Sequence, residues 1–263
     1  ELVSSGITDI TIVVSGGKSL IQEHFRPNPG LVEQLRADGK DAYADAVEEV
    51  GELSHQGHIT YLDQHGPYGN GTPVLNAARS FRDEPVLVLW PDDVFVADVP
   101  RAQQLISAYE QTSSPVLALM PMVPEHAPRY GVPIVKEDLD GGLLRITGLV
   151  EKPKPEDAPS SFAAIGGYVV TPGVVDELRE QTKRWYENRQ GEIYLTDAIN
   201  AYARSRAVYG QVIQGRWYDT GNPADYLIAQ FAFALSHPGY GPALRALANS
   251  VDGALPGGAS PAI

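Results

Sequence analysis

Apolar and polar positions change over in short blocks along most of the chain. Eight blocks are rich in β-branched residues and bounded by Gly, Pro, Asp or Ser: Ile10–Val14, His58–Asp63, Val86–Trp90, Pro115–Met120, Val132–Val135, Leu144–Val150, Ala164–Val170 and Val208–Ile213. Their length and composition predict strands. Between several of them apolar residues recur at helical spacing. Helices are predicted over 72–81 with Thr72 as cap, over 99–111, over 173–182, and over 195–206 with Thr196 as N-cap. A helix over 222–236 has Pro223 just inside its start, the favoured place for proline. Residues 27–53 read as an insertion of one or two helices, and a last helix is predicted near 241–251. Strand–helix alternation over the first 120 residues predicts a parallel sheet covered by helices; beyond it the strands crowd together, which predicts a mixed sheet. The expected class is α/β with a mixed, mostly parallel sheet.

Length and composition narrow the possibilities. The 263 residues suffice for one large domain or two small ones. A formal net charge of −13 argues against sequence-independent binding to nucleic acid. It also means that any phosphate chemistry needs a local gathering of positive charge. The absence of cysteine excludes disulfides, thiolate metal sites and Cys nucleophiles. No apolar run approaches the ~20 residues of a membrane span. No signal-peptide pattern is visible, so a cytoplasmic protein is expected. The opening "ELVSSGITDITIVVS" reads as the end of a helix running into a strand, which implies structure upstream. The tail "GALPGGASPAI" is expected to be flexible.

Four stretches offer chemistry. "VLVLWPDD" ends an apolar strand in Asp92 and Asp93. Ligands of open parallel sheets sit beyond the carboxyl ends of strands, where a carboxylate can hold a Mg²⁺ bridging phosphates. A strand leaving into a polar turn explains the same residues equally well. "RWYDTGNP" places Asp219 after a short aromatic strand and before a helix start. Ordinary capping competes with metal binding there. Mg²⁺ takes one or two carboxylates plus phosphate oxygens and water, so Asp92 and Asp219 form a candidate pair. "DQHGPYGNGTP" (63–73) has Gly66, Gly69 and Gly71 to let backbone approach a flat ligand, and Gln64 to meet a pyrimidine edge as both donor and acceptor. A plain surface turn is the competing reading. "GLVEKPKP" sets Glu151 and Lys152 at the end of a strand, a carboxylate for sugar hydroxyls and an ammonium for phosphate, or simply an exposed charged turn. "SGGKS" fails as a phosphate-binding P-loop because Ile12 stands where the first Gly is required, which leaves Lys18 a minor candidate. His24 and His126 show no metal-ligand spacing.

Each stretch is weak singly, but their order is informative. "SGITDITIVVS", "HITYLDQHGPYGNGTPVLNAA", "DEPVLVLWPDD", "RYGVPIV", "ITGLVEKPKPEDAPSSFAAIGGYVV", "GEIYLTDAI" and "YDTGNPADYL" follow one another as in bacterial UTP–glucose-1-phosphate uridylyltransferases, which the chain resembles. The resemblance covers roughly residues 1–236, with "LVEKPKPEDAPS" and "GEIYLTDAI" its most specific parts. It implies a Rossmann-like nucleotidyltransferase fold over 1–236, followed by a C-terminal helix and tail over 237–263. It implies UTP and glucose 1-phosphate as substrates, UDP-glucose and pyrophosphate as products, and Mg²⁺ as cofactor. By position, Gln64 and Gly69 match the residues that hold uracil, and Asp92 and Asp219 the metal ligands. Gly131, Glu151, Ile165 and Gly166 match the sugar site, and Lys152 the phosphate-contacting, catalytic lysine. Glu192 and Asp197 lie in a family motif and are assigned to structure first. A homo-oligomer, dimer or tetramer, is expected, with the helices at 222–236 and 241–251 as contact surfaces.

The chain departs from the family pattern in two places. The family carries a glycine-rich G-x-G-T-R loop and a lysine in a P-K-E-type segment, and neither occurs here. A preceding segment of roughly 40–50 residues, a βα unit with its loops, is therefore expected. Without it, the 263 residues are expected to bind UDP-glucose poorly, to turn over negligibly and to leave a gap in the central sheet. The second departure is Gly167, where the common pattern "VGRYV" has Arg. Two other functions stay open: a thymidylyltransferase acting on glucose 1-phosphate, and a nucleotide-sugar-binding homologue without catalysis.

Overall fold

The computed structural model describes residues 1–16, 19–81 and 83–251. Lys18 and the tail lie outside them. Two compact units emerge, Glu1–Trp90 with Val96–Gly215, and Pro91–Phe95 with the chain from Arg216 on. The first runs through a 3-10 turn (Val3–Ser5), β1 (Thr11–Val14), α1 (Ser19–His24), α2 (Pro29–Ala37), α3 (Asp41–Gln56), β2 (Thr60–Asp63), α4 (Gly71–Ala77) and β3 (Val86–Leu89). After β4 (Asp93–Val96) it continues through α5 (Arg101–Thr112), β5 (Val116–Pro121), β6 (Gly131–Asp138), β7 (Leu143–Glu151), β8 (Phe162–Val170), α6 (Pro172–Asn188), α7 (Leu195–Ala203) and β9 (Val208–Val212). The second unit holds the start of β4 with β10 (Arg216–Asp219), α8 (Pro223–Ser236) and α9 (Gly241–Val251).

Every predicted strand falls on an observed one, and the insertion is a hairpin of two helices, α2 and α3. β4 was not foreseen, because its four residues follow β3 across a tight turn at Pro91–Asp92 and carry no clear alternation. Two caps differ from expectation. Thr72 lies inside α4 and its hydroxyl donates to the Pro67 carbonyl (2.6 Å). Thr196 lies inside α7, whose first amide, Leu195 N, donates instead to the side chain of Asn70 (2.9 Å).

Six strands form one sheet in the order β3-β8-β5-β9-β7-β6, and β1 and β2 form a separate parallel pair. The α/β class with a mixed sheet holds. The share of parallel pairing is smaller than expected: β5 and β9 run parallel, whereas β8 is antiparallel to β3 and β5, and β7 to β6 and β9. The reason is that β8 inserts between β3 and β5, turning one would-be parallel contact into two antiparallel ones. Leu117 and Leu119 of β5 face a core built with Val174 and Leu178 of α6 and Leu195 and Ile199 of α7. Ala118 between them points to the other face, toward Leu105 of α5. Each fully buried Leu or Ile contributes about 1.5–3 kcal/mol, which fixes the sheet as a rigid platform.

One irregularity matters for the site. Leu117 pairs with Tyr168, but Leu119 pairs with Ala164. Ile165, Gly166 and Gly167 therefore stand opposite Ala118 alone. Such bulges re-aim a strand and recur beside active sites.

Candidate active site

The end of β7, the start of β6 and the start of β8 meet. Gly131 pairs with Glu151 on one side and with Ala164 on the other. A Cβ on Gly131 would lie 3.3 Å from Glu151 Oε2, so glycine keeps the space beside the carboxylate open. Lys152 follows in a left-handed conformation (φ 46°) that L-residues with side chains avoid. Its amide donates to the Tyr130 carbonyl (3.0 Å), which holds the turn. Strain of this kind persists where the surroundings enforce it, commonly at functional sites. Ile165 and Gly166 follow Ala164 directly, in the bulge. The structure thus brings Gly131, Glu151, Lys152, Ile165 and Gly166 into one neighbourhood.

Their support comes from a residue that sequence reasoning missed. β9 stops pairing with β7 at Ile146. Beyond it, the Asn200 side chain of α7 accepts from Leu149 N (2.7 Å) and donates to Leu149 O (3.0 Å), replacing a strand partner two residues before Glu151. Tyr194, ahead of α7, is held above the usual tyrosine range. The chief cause is its hydrogen bond to Glu192, followed by burial and by the charges of Glu192, Glu151 and Asp197. Asp197 also accepts weakly from Gln181 (3.4 Å).

The glycine-rich stretch continues β2. Gln64 N donates to Val14 O (2.7 Å), extending the β1–β2 ladder by one residue and orienting Gln64. The Gln64 side-chain amide makes no hydrogen bond among the described residues. Asn76 of α4 clamps the next residue, accepting from His65 N (2.8 Å) and donating to His65 O (3.0 Å). Gly69 has φ 126°, and a side chain there would overlap the backbone of Ile193. Ile193 N donates to Tyr68 O and Gly71 N to Ile193 O, each at 2.8 Å. "GPYGNG" and "GEIYL" are therefore zipped together, which gives the two distant stretches one shared structural role. Asn76 and Asn200 gave little sequence signal, since Asn inside a helix is only a mildly poor helix former, and Asn70 sits at the cap position before α4, where Asn is ordinary.

In the second unit the two aspartates converge. Thr220 donates to the Asp92 carbonyl through both N and Oγ1, each at 2.8 Å, tying the end of β10 to the turn before β4. Gly221 N donates to Asp219 Oδ1 (3.1 Å). A Cβ on Gly221 would lie 2.9 Å from Asp92 Oδ2 and 3.1 Å from Asp219 Oδ1, so both carboxylate oxygens border one point. The two oxygens therefore approach the same point, near enough that small side-chain movements would bring both to the ~2.1 Å ligand distance of one Mg²⁺. The neighbouring Asp93 is occupied elsewhere, accepting from the Trp217 indole across the β4–β10 pair. Helix capping falls to Asn222, whose Oδ1 accepts from Asp225 N (3.0 Å), which leaves Asp219 outside the cap. Among the described residues no three His, Cys, Asp or Glu side chains gather as an all-protein metal cage. No helix among them is long and apolar enough to cross a membrane.

Comparison with known proteins assigns the chain to a family. A family model described as Nucleotidyl transferase matches residues 2–234. The UTP–glucose-1-phosphate uridylyltransferase of Streptococcus pneumoniae serotype 4 is 33% identical over 242 residues, 90% of this chain and 78% of that protein. Among solved structures, a UDP-glucose pyrophosphorylase complexed with UDP-glucose superposes with a TM-score of 0.74 at 26% identity, covering 89% of this chain and 83% of the other. A UTP-bound enzyme of the same type from Acinetobacter baumannii gives 0.82 at 25% identity, covering 95% and 85%. With the strained Lys152, the zipped glycine-rich loop and the converging aspartates in place, the chain belongs to the nucleotidyl transferase family, among its UTP–glucose-1-phosphate uridylyltransferases.

Proposed function

We propose that this chain transfers the uridylyl group of UTP to glucose 1-phosphate, forming UDP-glucose and releasing pyrophosphate. The observation that carries the proposal is Lys152, held left-handed next to Glu151 where Gly131 keeps space open. A cation and a carboxylate fixed side by side suit a ligand that presents a phosphate and hydroxyls together.

A phosphate oxygen of glucose 1-phosphate attacks the α-phosphorus of UTP. The bond from that phosphorus to the oxygen bridging to the β-phosphorus breaks, and pyrophosphate leaves with the electron pair. The nucleophile is already an anion, so no general base is needed, and catalysis rests on positioning and charge neutralisation. Lys152 neutralises phosphate charge. Glu151 accepts hydrogen bonds from glucose hydroxyls, with the Gly131 and Ile165–Gly166 backbone bordering the sugar. Gln64 reads the uracil edge, with the Gly69 backbone alongside. Asp92 and Asp219 would hold Mg²⁺: two carboxylates and no nitrogen or sulfur donors make a hard-oxygen set that fits it. When bound, the ion supplies positive charge to the nucleotide phosphates.

The test is pyrophosphate release by the full-length gene product with glucose 1-phosphate, Mg²⁺ and either UTP or dTTP. Faster turnover with UTP is expected. Equal or faster turnover with dTTP would favour the thymidylyl reading, and tight UDP-glucose binding without turnover a non-catalytic homologue. We place the reaction in the cytoplasm, where nucleoside triphosphates are available. We also assign the exposed apolar residues of α8, Leu227, Ile228 and Phe231, to a contact within a homo-oligomer. Light scattering on the purified protein checks this, and a monomer at assay concentration overturns it.

A further inference from the structure

Among the described residues Arg101 is the one charged side chain that is buried, 2% exposed. It occupies the first position of α5, after Pro100. Both facts oppose stability. A cation at a helix N-terminus meets the positive end of the dipole, and a buried charge must be fully paired.

The pairing is elaborate. Nη1 donates to the Gly166 carbonyl (2.6 Å). Nε and Nη2 donate to the two carboxylate oxygens of Glu1, at 3.3 and 3.0 Å. The same Glu1 Oε1 accepts from Ala102 N (2.9 Å), so its charge also offsets the helix end. Buried ion pairs can commonly be replaced by apolar side chains without loss of stability. Stability alone is thus a poor reason for this one. Its contact with Gly166 is more telling: Gly166 lies in the three-residue bulge where the β5–β8 ladder is interrupted.

Gly167 completes the picture. A Cβ there would lie 3.2 Å from Arg101 Cδ and 3.0 Å from both Leu105 Cδ1 and Ala118 Cβ. The stem of Arg101 fills the space that a side chain at 167 would enter. This is the position where the family resemblance implies arginine and this chain has glycine. In this chain the guanidinium that reaches the bulge comes from α5.

We propose that Arg101 is a positioning residue for the sugar end of the site: by holding the Gly166 carbonyl, with Glu1 as its counter-ion, it sets where the Ile165–Gly166 backbone lies. This rests on the proposed uridylyltransferase function, in which that backbone borders glucose 1-phosphate. Lysine cannot replace arginine, because one compact ammonium cannot span Glu1 and Gly166 as the planar fork does.

The test compares the full-length protein with its Arg101→Lys variant and with Arg101→Met combined with Glu1→Gln, which removes both charges of the Arg101–Glu1 pair together. Two readouts are taken: hydrogen exchange of the segment 162–170, and KM for each substrate separately. Both variants are expected to speed exchange in that segment by at least ~10-fold. KM for glucose 1-phosphate should rise roughly 10-fold, with KM for UTP unchanged within about twofold, since small displacements near reacting groups carry large kinetic costs. Unchanged exchange, or equal rises in both KM values, would overturn the assignment. Absence of UDP-glucose synthesis by the unmodified protein would instead sink the functional reading, and exchange alone would then judge Arg101.

Discussion

At the scale of single residues, the site depends on side chains that are absent as much as on those present. Gly221 has none, and the two carboxylate oxygens of Asp92 and Asp219 close around the place where one would start. Gly221→Ala should therefore push the carboxylates apart without touching the core. The expected effect is a rise of roughly 10-fold or more in the Mg²⁺ concentration for half-maximal activity, the scale of loss when the setting of a metal ligand is disturbed. Titrating activity against free Mg²⁺ checks this; an unchanged midpoint would show that the two aspartates do not share an ion. Gln64 makes the opposite case, a side chain whose amide makes no hydrogen bond among the described residues while its backbone N–H is held by the Val14 carbonyl. Gln64→Ala should weaken UTP binding by about 1–3 kcal/mol, the cost of unpaired polar groups on the base. Calorimetry with UTP and ATP decides it, since equal affinity for both nucleotides in the unmodified protein removes any role for Gln64 in base choice.

At the scale of elements, the hydrophobic pattern was enough to find the strands of the main sheet, because β-branched runs between turn residues have few other ways to bury themselves. The pattern could not show which strand lies beside which. That β8 enters between β3 and β5 is decided by packing between segments far apart in sequence, and the bulge at Ile165–Gly167 leaves no local mark beyond two glycines. The site was legible where its chemistry needs rare combinations, such as Glu-Lys after an apolar strand. It was illegible where ordinary asparagines do the holding. Asn200 shows the consequence. It satisfies both backbone groups of Leu149, where β7 has run past the end of β9. Asn200→Leu leaves a buried N–H and C=O unpaired and should cost about 1–3 kcal/mol of stability. It should also raise KM for glucose 1-phosphate, because the released strand end carries Glu151. Urea unfolding and steady-state kinetics test the two parts. Lost stability with intact KM would mean that Tyr130 and Gly131 alone hold Glu151 in place.

At the scale of the whole molecule, charge poses a problem that the local site must solve. The chain carries a formal charge of −13, with 33 acidic against 20 basic residues, yet the proposed substrates are both anions. Long-range repulsion slows their encounter, and only short-range groups such as Lys152 and a metal ion that Asp92 and Asp219 would hold can reverse the sign. These two ranges respond differently to salt. The screening length falls from about 30 Å at 0.01 M ionic strength to about 8 Å at 0.15 M. Added salt then removes the repulsion between protein and approaching substrate while leaving contacts of a few ångströms largely intact. With free Mg²⁺ held constant, kcat/KM for UTP should rise roughly two- to fivefold between about 10 and 150 mM NaCl, with kcat nearly constant. A basic enzyme acting on phosphates shows the reverse, a fall with salt as attraction is screened. Steady-state kinetics across that range are sufficient. A fall in kcat/KM would mean that a positive field around the site already outweighs the net charge at the distance where encounter is decided, and the search for it would begin with the lysines and arginines nearest Lys152.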